Sequence, residues 1–384
     1  MSSPTQFQLL RVISQSGPMS RTTLAEVTGL SKASVSMITR DLLERGVLHE
    51  TETVQGQGRP SIKLGLDADS AYFVGVSLIE EPFALVVTDL HGVAVATSEI
   101  AGSRDPAEIG RRIKAALPGL LGTNDKARAR LRGVGIAVPG FVDERQQVCL
   151  QSTGLGWQDL PVAGIVSEQI GLPVAVENDA NAVTLAETLF GRMRGCTSFA
   201  LVSVGEGIGC GLMLNGELYR GQHGGAGEIS HATIELGGTP CRCGKRGCLD
   251  TISSLSAIRS AAELAGLPGS LDELERLAGA GRLEAVQILH RAGSCLGLAI
   301  AHLIQMIDPE QVVIAHLHPG AGQDPGFRQS GLFETVTRQA IEANVLPRFA
   351  GKTVIHTRRV SKDVWAQGAA SVAAHHFLFG GGTS

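Results

Sequence analysis

The spacing of apolar and polar residues over the first 46 positions predicts three short helices. Within each segment, apolar side chains recur every three or four residues, and a serine that can cap a helix precedes the second and the third. The predicted segments are residues 5–15, Ser20–Gly29 and Ser31–Gly46. In the second segment, Leu24 and Val27 are expected to point inward. This arrangement predicts a helix-turn-helix.

The third predicted helix carries a face that suits contact with DNA. The cap and the side chains that avoid its apolar face are Ser31, Lys32, Ser34, Ser36, Met37 and Arg40. Small polar residues at the start of a short helix can enter a major groove and touch base edges or phosphates. An ordinary three-helix bundle is the alternative interpretation of the same pattern.

The next segment has the pattern of a β-wing. Strands are predicted over Val47–Val54 and Ser61–Leu66, with residues 55–60 as the tip between them. In the tip, Arg59 stands between glycine and proline, so its guanidinium is expected to reach a phosphate or a narrow minor groove. A plain flexible linker is the alternative.

From residue 71 onward, short runs typical of β-strands alternate with helical stretches. Three such runs precede a helix over Asp105–Leu121, which is typical of an actin-like, ribonuclease-H-like lobe. A similar series begins at Phe199–Val204, so we expect an α/β body of two lobes with a ligand cleft. The predicted domains are a winged helix-turn-helix at 1–70, a first lobe at 71–190 plus 356–384, and a second lobe at 191–355.

Composition and charge narrow the classes of protein that fit. At 384 residues the chain exceeds one ordinary core, and no run approaches the roughly 20 apolar residues of a membrane span. The chain opens without an apolar signal segment, so we expect a cytoplasmic protein in a reducing compartment. Residues 1–66 carry a net charge of +2 and the rest carries −6, so only the front segment favours nucleic acid.

One histidine and three cysteines lie close together in the second half of the chain. They are His231, Cys241, Cys243 and Cys248. Four ligands of these types complete tetrahedral coordination and leave no place for water, so the pattern predicts a structural Zn²⁺ site. A disulfide is the alternative, but clustered cysteines beside a histidine favour metal in a reducing compartment.

Several further motifs mark the chain. They are Gly58-Arg59-Pro60, Val138-Pro139-Gly140, Glu177-Asn178-Asp179-Ala180-Asn181-Ala182, Gly227-Glu228-Ile229-Ser230-His231 and Cys241-Arg242-Cys243-Gly244-Lys245-Arg246-Gly247-Cys248-Leu249-Asp250. In these motifs the chain resembles the ROK family (repressors, open reading frames and kinases) over nearly its whole length. It is similar in particular to the winged-helix transcription regulators of that family.

The resemblance implies a sugar site. In the family kinases an Asn-Asp pair, a glutamate, a histidine and an acid after Gly-Cys-Leu bind sugar hydroxyls, and the aspartate is the catalytic base. The matching positions here are Asn178, Asp179, Glu228, His231 and Asp250. Ser230 stands where the family usually has glycine, and Asp250 is one methylene shorter than the usual glutamate. By pattern alone, Asp179 could equally be a helix cap and Glu228 a surface acid.

The resemblance also points to losses on the nucleotide side. Family kinases carry Asp-x-Gly-Gly-Thr after their first strand, where this chain has Ser77-Leu78-Ile79-Glu80-Glu81, whose glutamates would repel a triphosphate. A second phosphate loop, Gly205–Gly209, has an acid where threonine is usual, and Ala315-His316 stands where a Gly-Gly pair lies near the adenosine. We therefore expect no enzyme and no catalytic residue, with Asp179 as a base only in a kinase.

These observations together predict a sugar-responsive transcription regulator, most simply a repressor of carbohydrate-utilisation genes. In this hypothesis a sugar closes the two lobes and changes the spacing of paired DNA heads, which lowers operator affinity. Paired heads need a homodimer or homotetramer, for which Val286–Met306 offers an apolar helical surface. A sugar kinase with a fused DNA-binding head, and a dimerisation platform without ligand, are the alternatives.

Overall fold

The computed structural model describes residues 4–54, 61–317 and 331–380. They form two compact units. The first comprises the described residues up to Cys196 and those from Asp363 onward, and the second lies within Thr197–Lys362. Over the described ranges, we find no helix with the length and apolar character needed to cross a membrane.

The first unit begins with a winged helix-turn-helix. Its elements are α1 (Pro4–Ser16), β1 (Met19–Ser20), α2 (Arg21–Thr28), α3 (Lys32–Glu44), β2 (Leu48–Val54) and β3 (Ser61–Leu66). The strands pair in the order β1-β3-β2. Both predicted serine caps are confirmed, because the side chains of Ser20 and Ser31 accept hydrogen bonds from backbone N–H groups three residues later.

One predicted contact of this head is wrong. The side chain of Val27 is 60% exposed instead of pointing inward. Helix α2 has only eight residues, and its buried positions are Leu24 and Ala25. The predicted wing tip, residues 55–60 with Arg59, lies outside the described residues.

An α/β body follows in the first unit. Its elements are β4 (Tyr72–Ser77), β5 (Phe83–Asp89), β6 (Ala94–Ile100), α4 (Pro106–Leu121), α5 (Asp125–Ala129), β7 (Leu131–Val138), β8 (Phe141–Val142), β9 (Cys149–Ser152), β10 (Trp157–Leu160), α6 (Val162–Ile170), β11 (Val174–Asn178) and α7 (Asp179–Leu189). The main sheet has the order β11-β7-β4-β5-β6, with β4, β7 and β11 parallel. As predicted, three antiparallel strands precede the first long helix of the lobe.

The second unit repeats this strand pattern. Its elements are β12 (Phe199–Val204), β13 (Ile208–Leu214), β14 (Glu217–Leu218), α8 (Asp250–Ser253), α9 (Leu255–Leu264), α10 (Leu271–Gly279), α11 (Leu283–Ile307), β15 (Gln311–Leu317), α12 (Leu332–Asn344) and β16 (Val354–Val360). The sheet order is β14-β13-β12-β15-β16, antiparallel on the β13 side and parallel on the β15 side. This repetition matches the predicted duplication.

The last helix, α13 (Val364–Phe379), packs against the main sheet of the first unit. A Cβ at Gly75 or Gly135 would lie 1.8 Å or 1.7 Å from a backbone oxygen of α13, so only glycine fits at either position. The same helix shares one hydrophobic core with the winged head. Residues of this core include Leu9, Leu10, Ile13, Leu24, Val35, Leu64, Phe73, Leu90, Ala370, Ala373, Ala374 and Leu378. The head is therefore built into the first unit.

Candidate functional site

Four potential metal ligands meet in the second unit. The ligand atoms of His231, Cys241, Cys243 and Cys248 all lie within 4.8 Å of one another. Cys243 Sγ is 3.6 Å from Cys248 Sγ, and Cys241 Sγ is 3.6 Å from His231 Nδ1. A disulfide would need about 2.05 Å, whereas sulfurs bound tetrahedrally at about 2.3 Å from a metal are roughly 3.8 Å apart. The cysteines are free thiols, and the cluster can hold a metal ion.

A tight loop brings these ligands together. His231 ends a single 3₁₀ turn, Ile229–His231, and Cys248 pairs across the loop with Thr233. Gly247 has a φ of 70°, and a Cβ there would lie 1.6 Å from the carbonyl oxygen of Glu235. The loop therefore requires glycine where its two sides come closest.

The surroundings of the ligands act on their protonation. A hydrogen bond from the backbone of Lys245 lowers the pKa of the Cys243 thiol, whereas burial raises the pKa of Cys248 to about 12. Burial also lowers the pKa of His231, which favours the neutral imidazole. Metals bind neutral imidazole and thiolate. The buried Cys248 thiolate therefore needs a positive charge beside it.

His231 presents its two ring nitrogens to different partners. Nδ1 faces the cysteines, and Nε2 lies 4.0 Å from a carboxylate oxygen of Glu228. Gly227, with a φ of 86°, brings this segment so close to β13 that a Cβ would lie 2.2 Å from the carbonyl oxygen of Cys210. An ion held by Nδ1 would fix the ring and leave Nε2 available to a ligand.

Asp250 opens α8 and is only 9% exposed. One of its carboxylate oxygens accepts a hydrogen bond from the backbone N–H of Ile208 at 3.0 Å, and the other lies 3.6 Å from Nε of Arg242. A Cβ at Gly207 would lie 2.9 Å from the Arg242 guanidinium, so the turn before β13 is tightly packed against this ion pair. Asp250 thus has a protein partner on each oxygen.

Asn178 and Asp179 lie in the first unit, at the junction of β11 and α7. The Asn178 side chain caps α7 by accepting from the backbone N–H of Asn181 at 3.1 Å, and it donates to the carbonyl of Gly140 at 3.0 Å. The carboxylate of Asp179 accepts from the N–H of Ala180 at 2.9 Å. The cap is therefore Asn178, and Asp179 is a partly exposed acid in the first turn.

A buried polar network beside this junction was not predicted. The carboxylate of Glu177, which is 1% exposed, accepts from the N–H of Asn178 at 2.9 Å and from the side chain of Gln146 at 2.6 Å. The side-chain oxygen of Gln146 meets Nε2 of His376 on α13. Glu177 belongs to one of the motifs noted in the sequence. No local pattern, however, indicates that it pairs with Gln146 or that Gln146 pairs with His376.

The glycine-rich segment Gly205–Gly209 comprises the turn between β12 and β13 and the first two residues of β13. Within it, both carboxylate oxygens of Glu206 accept hydrogen bonds from the guanidinium of Arg259, which lowers the pKa of Glu206. The carbonyl of Glu206 also accepts from the hydroxyl of Ser256 at 2.6 Å. The charge of Glu206 is therefore balanced by Arg259, and the turn is fastened to α9.

His316 fills the space at the end of β15. Its side chain is 8% exposed and lies edge-on to Phe333, with 5.5 Å between the ring centroids. Burial lowers the pKa of His316 to about 4. Across the described part of the chain, neither ring nitrogen has a hydrogen-bond partner. The imidazole of His316 thus occupies space that the glycine pair of the family kinases would leave open.

The polar face of α3 is accessible. Exposed residues on it are Ser31, Lys32, Ser36, Met37 and Arg40, and Ser34 is half-buried. Met37 is 61% exposed although it is apolar, which suits contact with thymine methyl groups or sugars of DNA. On the inner side, Thr39 accepts a hydrogen bond from Nε of Arg21 at 3.1 Å and fixes α3 against α2.

Family models match the two parts of the chain separately. A model of the ROK family matches residues 74–375, and a model of the MarR family matches residues 3–60. The first match covers the α/β body, and the second covers the winged head.

Individual relatives include regulators and a kinase. The xylose repressor of Bacillus spizizenii is 26% identical over 376 residues, which cover 96% of this chain and 94% of that protein. A glucokinase of Halalkalibacterium halodurans is 32% identical and covers 73% of this chain and 88% of its own. A crystal structure of a ROK family transcriptional regulator, a homologue of Escherichia coli Mlc, gives a TM-score of 0.78 at 28% identity and covers 98% of this chain and 96% of its own.

Proposed function

Because the chain belongs to the ROK family, we propose that it is a cytoplasmic DNA-binding regulator that represses carbohydrate-utilisation genes until a sugar binds. The observation that carries the proposal is the winged helix-turn-helix built into a ROK body, with the polar face of α3 exposed. The repressor relative aligns over head and body alike, which supports a regulator.

DNA binding is assigned to residues 1–70. Operator contacts come from Ser31, Lys32, Ser34, Ser36, Met37 and Arg40, and from Arg59 of the wing. Reading a palindromic operator takes two heads, so the protein acts as a homodimer or homotetramer. The stretch Val286–Met306 lies within α11, where most of its apolar residues are buried in the core of the second unit, so only its exposed positions, such as Met306, are proposed as part of the interface.

Sugar binding is assigned to the two lobes, 71–190 plus 356–384 and 191–355. The proposed ligand contacts are Asn178, Asp179, Glu228, His231 and Asp250. Carboxylates and an amide suit neighbouring hydroxyls, and the carboxyl end of β11 is where α/β sheets bind ligands. Asp250 and Asn178 contribute least, because both polar side-chain atoms of each already have protein partners.

The Cys/His cluster is assigned to one structural Zn²⁺. Three sulfurs and an imidazole nitrogen are the donors that zinc prefers, and four protein ligands leave no open position. When bound, the ion supplies positive charge and rigidity. Glu228 and His231 are thereby held in one orientation for the sugar.

A sugar kinase is the second candidate, favoured by the 32% identity to a glucokinase. In that case Asp179 would take the proton from a sugar hydroxyl. Two features oppose it, namely the negative charge of the Glu80-Glu81 pair and the bulk of His316. We therefore assign no phosphoryl transfer and no catalytic residue.

Thermal unfolding of the zinc-loaded protein tests this function. We would add D-xylose, D-glucose or N-acetyl-D-glucosamine, each with and without magnesium ATP, because a ligand of the native state raises the melting temperature. A shift with one sugar and none from ATP supports the regulator. A further shift with ATP, together with turnover, would favour the kinase, and no shift with any aldose or amino sugar would leave only a dimerisation platform.

A further inference from the structure

The body of the first unit caps a helix of the DNA-binding head. Helix α1 has no basic residue in its last turn, where carbonyl groups lack partners within the helix. The guanidinium of Arg194 donates from Nε, at 3.0 Å, and from Nη2 to the backbone oxygen of Ser14. Ser14 is 1% exposed. A forked, charged hydrogen bond at the C-terminus of α1 therefore fastens the head to the body.

Arg194 follows the end of α7 by five residues, and the first residues of the connecting segment are bonded to that helix. The N–H groups of Phe190 and Gly191 donate to carbonyls of the last turn of α7, and the N–H of Arg192 donates to the carboxylate of Glu187 at 3.3 Å. The ring of Phe190 packs on the hydrophobic core that the head shares with α13. The start of the segment that carries Arg194 is thus bonded to the last turn of α7.

Helix α7 begins with the proposed sugar contacts Asn178 and Asp179. Nine of its eleven residues are buried. It packs against α13 so closely that a Cβ at Gly368 would lie 2.8 Å from the backbone nitrogen of Val183. A helix enclosed in this way moves as one rigid body. A displacement at its first turn therefore reaches its other end, about 16 Å away at 1.5 Å per residue.

The buried network at the start of α7 leads to the same place. Glu177 bonds to the N–H of Asn178 and, through Gln146, to His376 in the last turns of α13. Near that end of α13, Phe379 lies beside Arg11 of α1. Both ends of α7 are thus connected to elements that touch the head.

We propose that α7 transmits sugar binding to the DNA-binding head, with Arg194 as its final contact. This inference rests on the proposed function. A sugar that engages Asn178 and Asp179 shifts α7, Arg194 carries the shift to α1, and the orientation of α3 changes with it. Arg194 is a positioning residue, because it lies on neither the proposed sugar surface nor the proposed DNA surface.

The test compares Arg194→Ala, Arg194→Lys and, as a matched control, Arg132→Ala, an exposed arginine of the same unit. The DNA probe is a duplex that the wild-type protein selects from a randomised library, and the sugar probes are D-xylose, D-glucose and N-acetyl-D-glucosamine. Fluorescence anisotropy gives the affinity for the duplex with and without saturating sugar, and calorimetry gives the affinity for the sugar.

We expect saturating sugar to lower the affinity of the wild-type protein and of the control for the duplex by about tenfold or more. In Arg194→Ala this ratio falls below about twofold, although sugar affinity and sugar-free DNA affinity stay within about threefold of wild type. Lysine, which cannot form the fork, gives an intermediate ratio. A full ratio in Arg194→Ala would overturn the inference, and so would loss of sugar-free DNA binding, which would make Arg194 a purely structural support. If no sugar changes DNA binding by the wild-type protein, the proposed function fails first.

Discussion

At the scale of single residues, burial gives two neighbouring carboxylates different roles. Glu177 and Asp179 stand two positions apart, yet Glu177 is 1% exposed and bonded to neighbouring protein groups, whereas Asp179 is partly exposed at the start of α7. The first carboxylate is committed to structure. The second is accessible to a ligand, which makes it the better position at which to test sugar binding.

Replacement of Asp179 by alanine is expected to weaken sugar binding at least tenfold, because a charged hydrogen bond contributes about 1.5–3 kcal/mol. DNA binding without sugar should stay within about twofold of wild type, since the polar face of α3 is exposed and the helix has its own cap, Ser31. Calorimetry with the active sugar and anisotropy with the selected duplex measure the two effects. Glu144→Ala, which removes an exposed acid, is the control. Simultaneous loss of DNA binding in Asp179→Ala would contradict the assignment.

His316 gives a pH-dependent prediction. Its pKa is about 4 in the folded protein and near 6.5 in the unfolded chain, so the unfolded chain binds the proton more tightly. This histidine therefore lowers the free energy of unfolding as the pH falls from 6.5 to 4, by about 3 kcal/mol in total. His316→Leu lacks this dependence.

Urea denaturation of both proteins at several pH values measures the effect of His316. The difference between the two free energies of unfolding should shift in favour of the variant towards low pH. Taking the difference cancels the titrations that both proteins share. Parallel stability profiles would show that His316 is already protonated or becomes exposed in solution.

At the scale of elements, α13 determines how the first unit is assembled. It lies on the main sheet at the two glycines of β4 and β7, packs along α7, and completes the core of the winged head. One helix thus contacts the sheet, α7 and the winged head. A small change beneath α13 should therefore affect all three.

Gly135→Ala places a methyl group 1.7 Å from the carbonyl oxygen of Ala369 and must lift α13 from the sheet. We expect the free energy of unfolding to fall by at least about 3 kcal/mol. The matched control is Gly164→Ala in α6, where a Cβ meets nothing within 4 Å and alanine should stabilise the helix by up to about 1 kcal/mol. Urea unfolding distinguishes the two, and equal stabilities would contradict the close packing of α13.

Elements with local signals could be predicted from the sequence. Ser20 and Ser31 each cap a helix by accepting a hydrogen bond from the backbone N–H three residues later. The four potential metal ligands likewise lie close together in the sequence, within one loop. The bonds from Gln146 to His376 and from Arg194 to Ser14 span 230 and 180 residues, and no local pattern encodes such pairs. Val27 was misplaced because two apolar positions in a short helix do not define a face.

At the scale of the whole molecule, two units with the same strand order differ in one loop, residues 231–248 of the second unit, which contains the four potential metal ligands. The strand order of the second unit repeats that of the first, but among the described residues only the second unit has a cluster of metal ligands, His231 and three cysteines, between its antiparallel strands and its helices. This loop has little apolar core of its own, so an ion is expected to account for much of its order.

The purified protein is expected to contain one zinc per chain. Removing the ion with a chelator should lower the melting temperature by at least about 5 °C, and the loss should be easier at low pH because thiolates and neutral imidazole are needed. Cys248→Ser should reproduce this loss, whereas Cys295→Ser, outside the cluster, should retain the metal. Mass spectrometry for metals and calorimetry provide the measurements. A protein without metal and with an unchanged melting temperature would contradict the assignment.

The place of α13 also sets the time at which a newly made chain can finish folding. Ile13 leaves the ribosome 360 residues before Ala373, although the two belong to one core. At about 5–20 residues per second this interval lasts roughly 20–70 s, during which the apolar face of α1 is open to chaperones. The head therefore reaches its native packing only after α13 has been made. Chains in which α13 has not yet been made are thereby prevented from presenting a natively packed head.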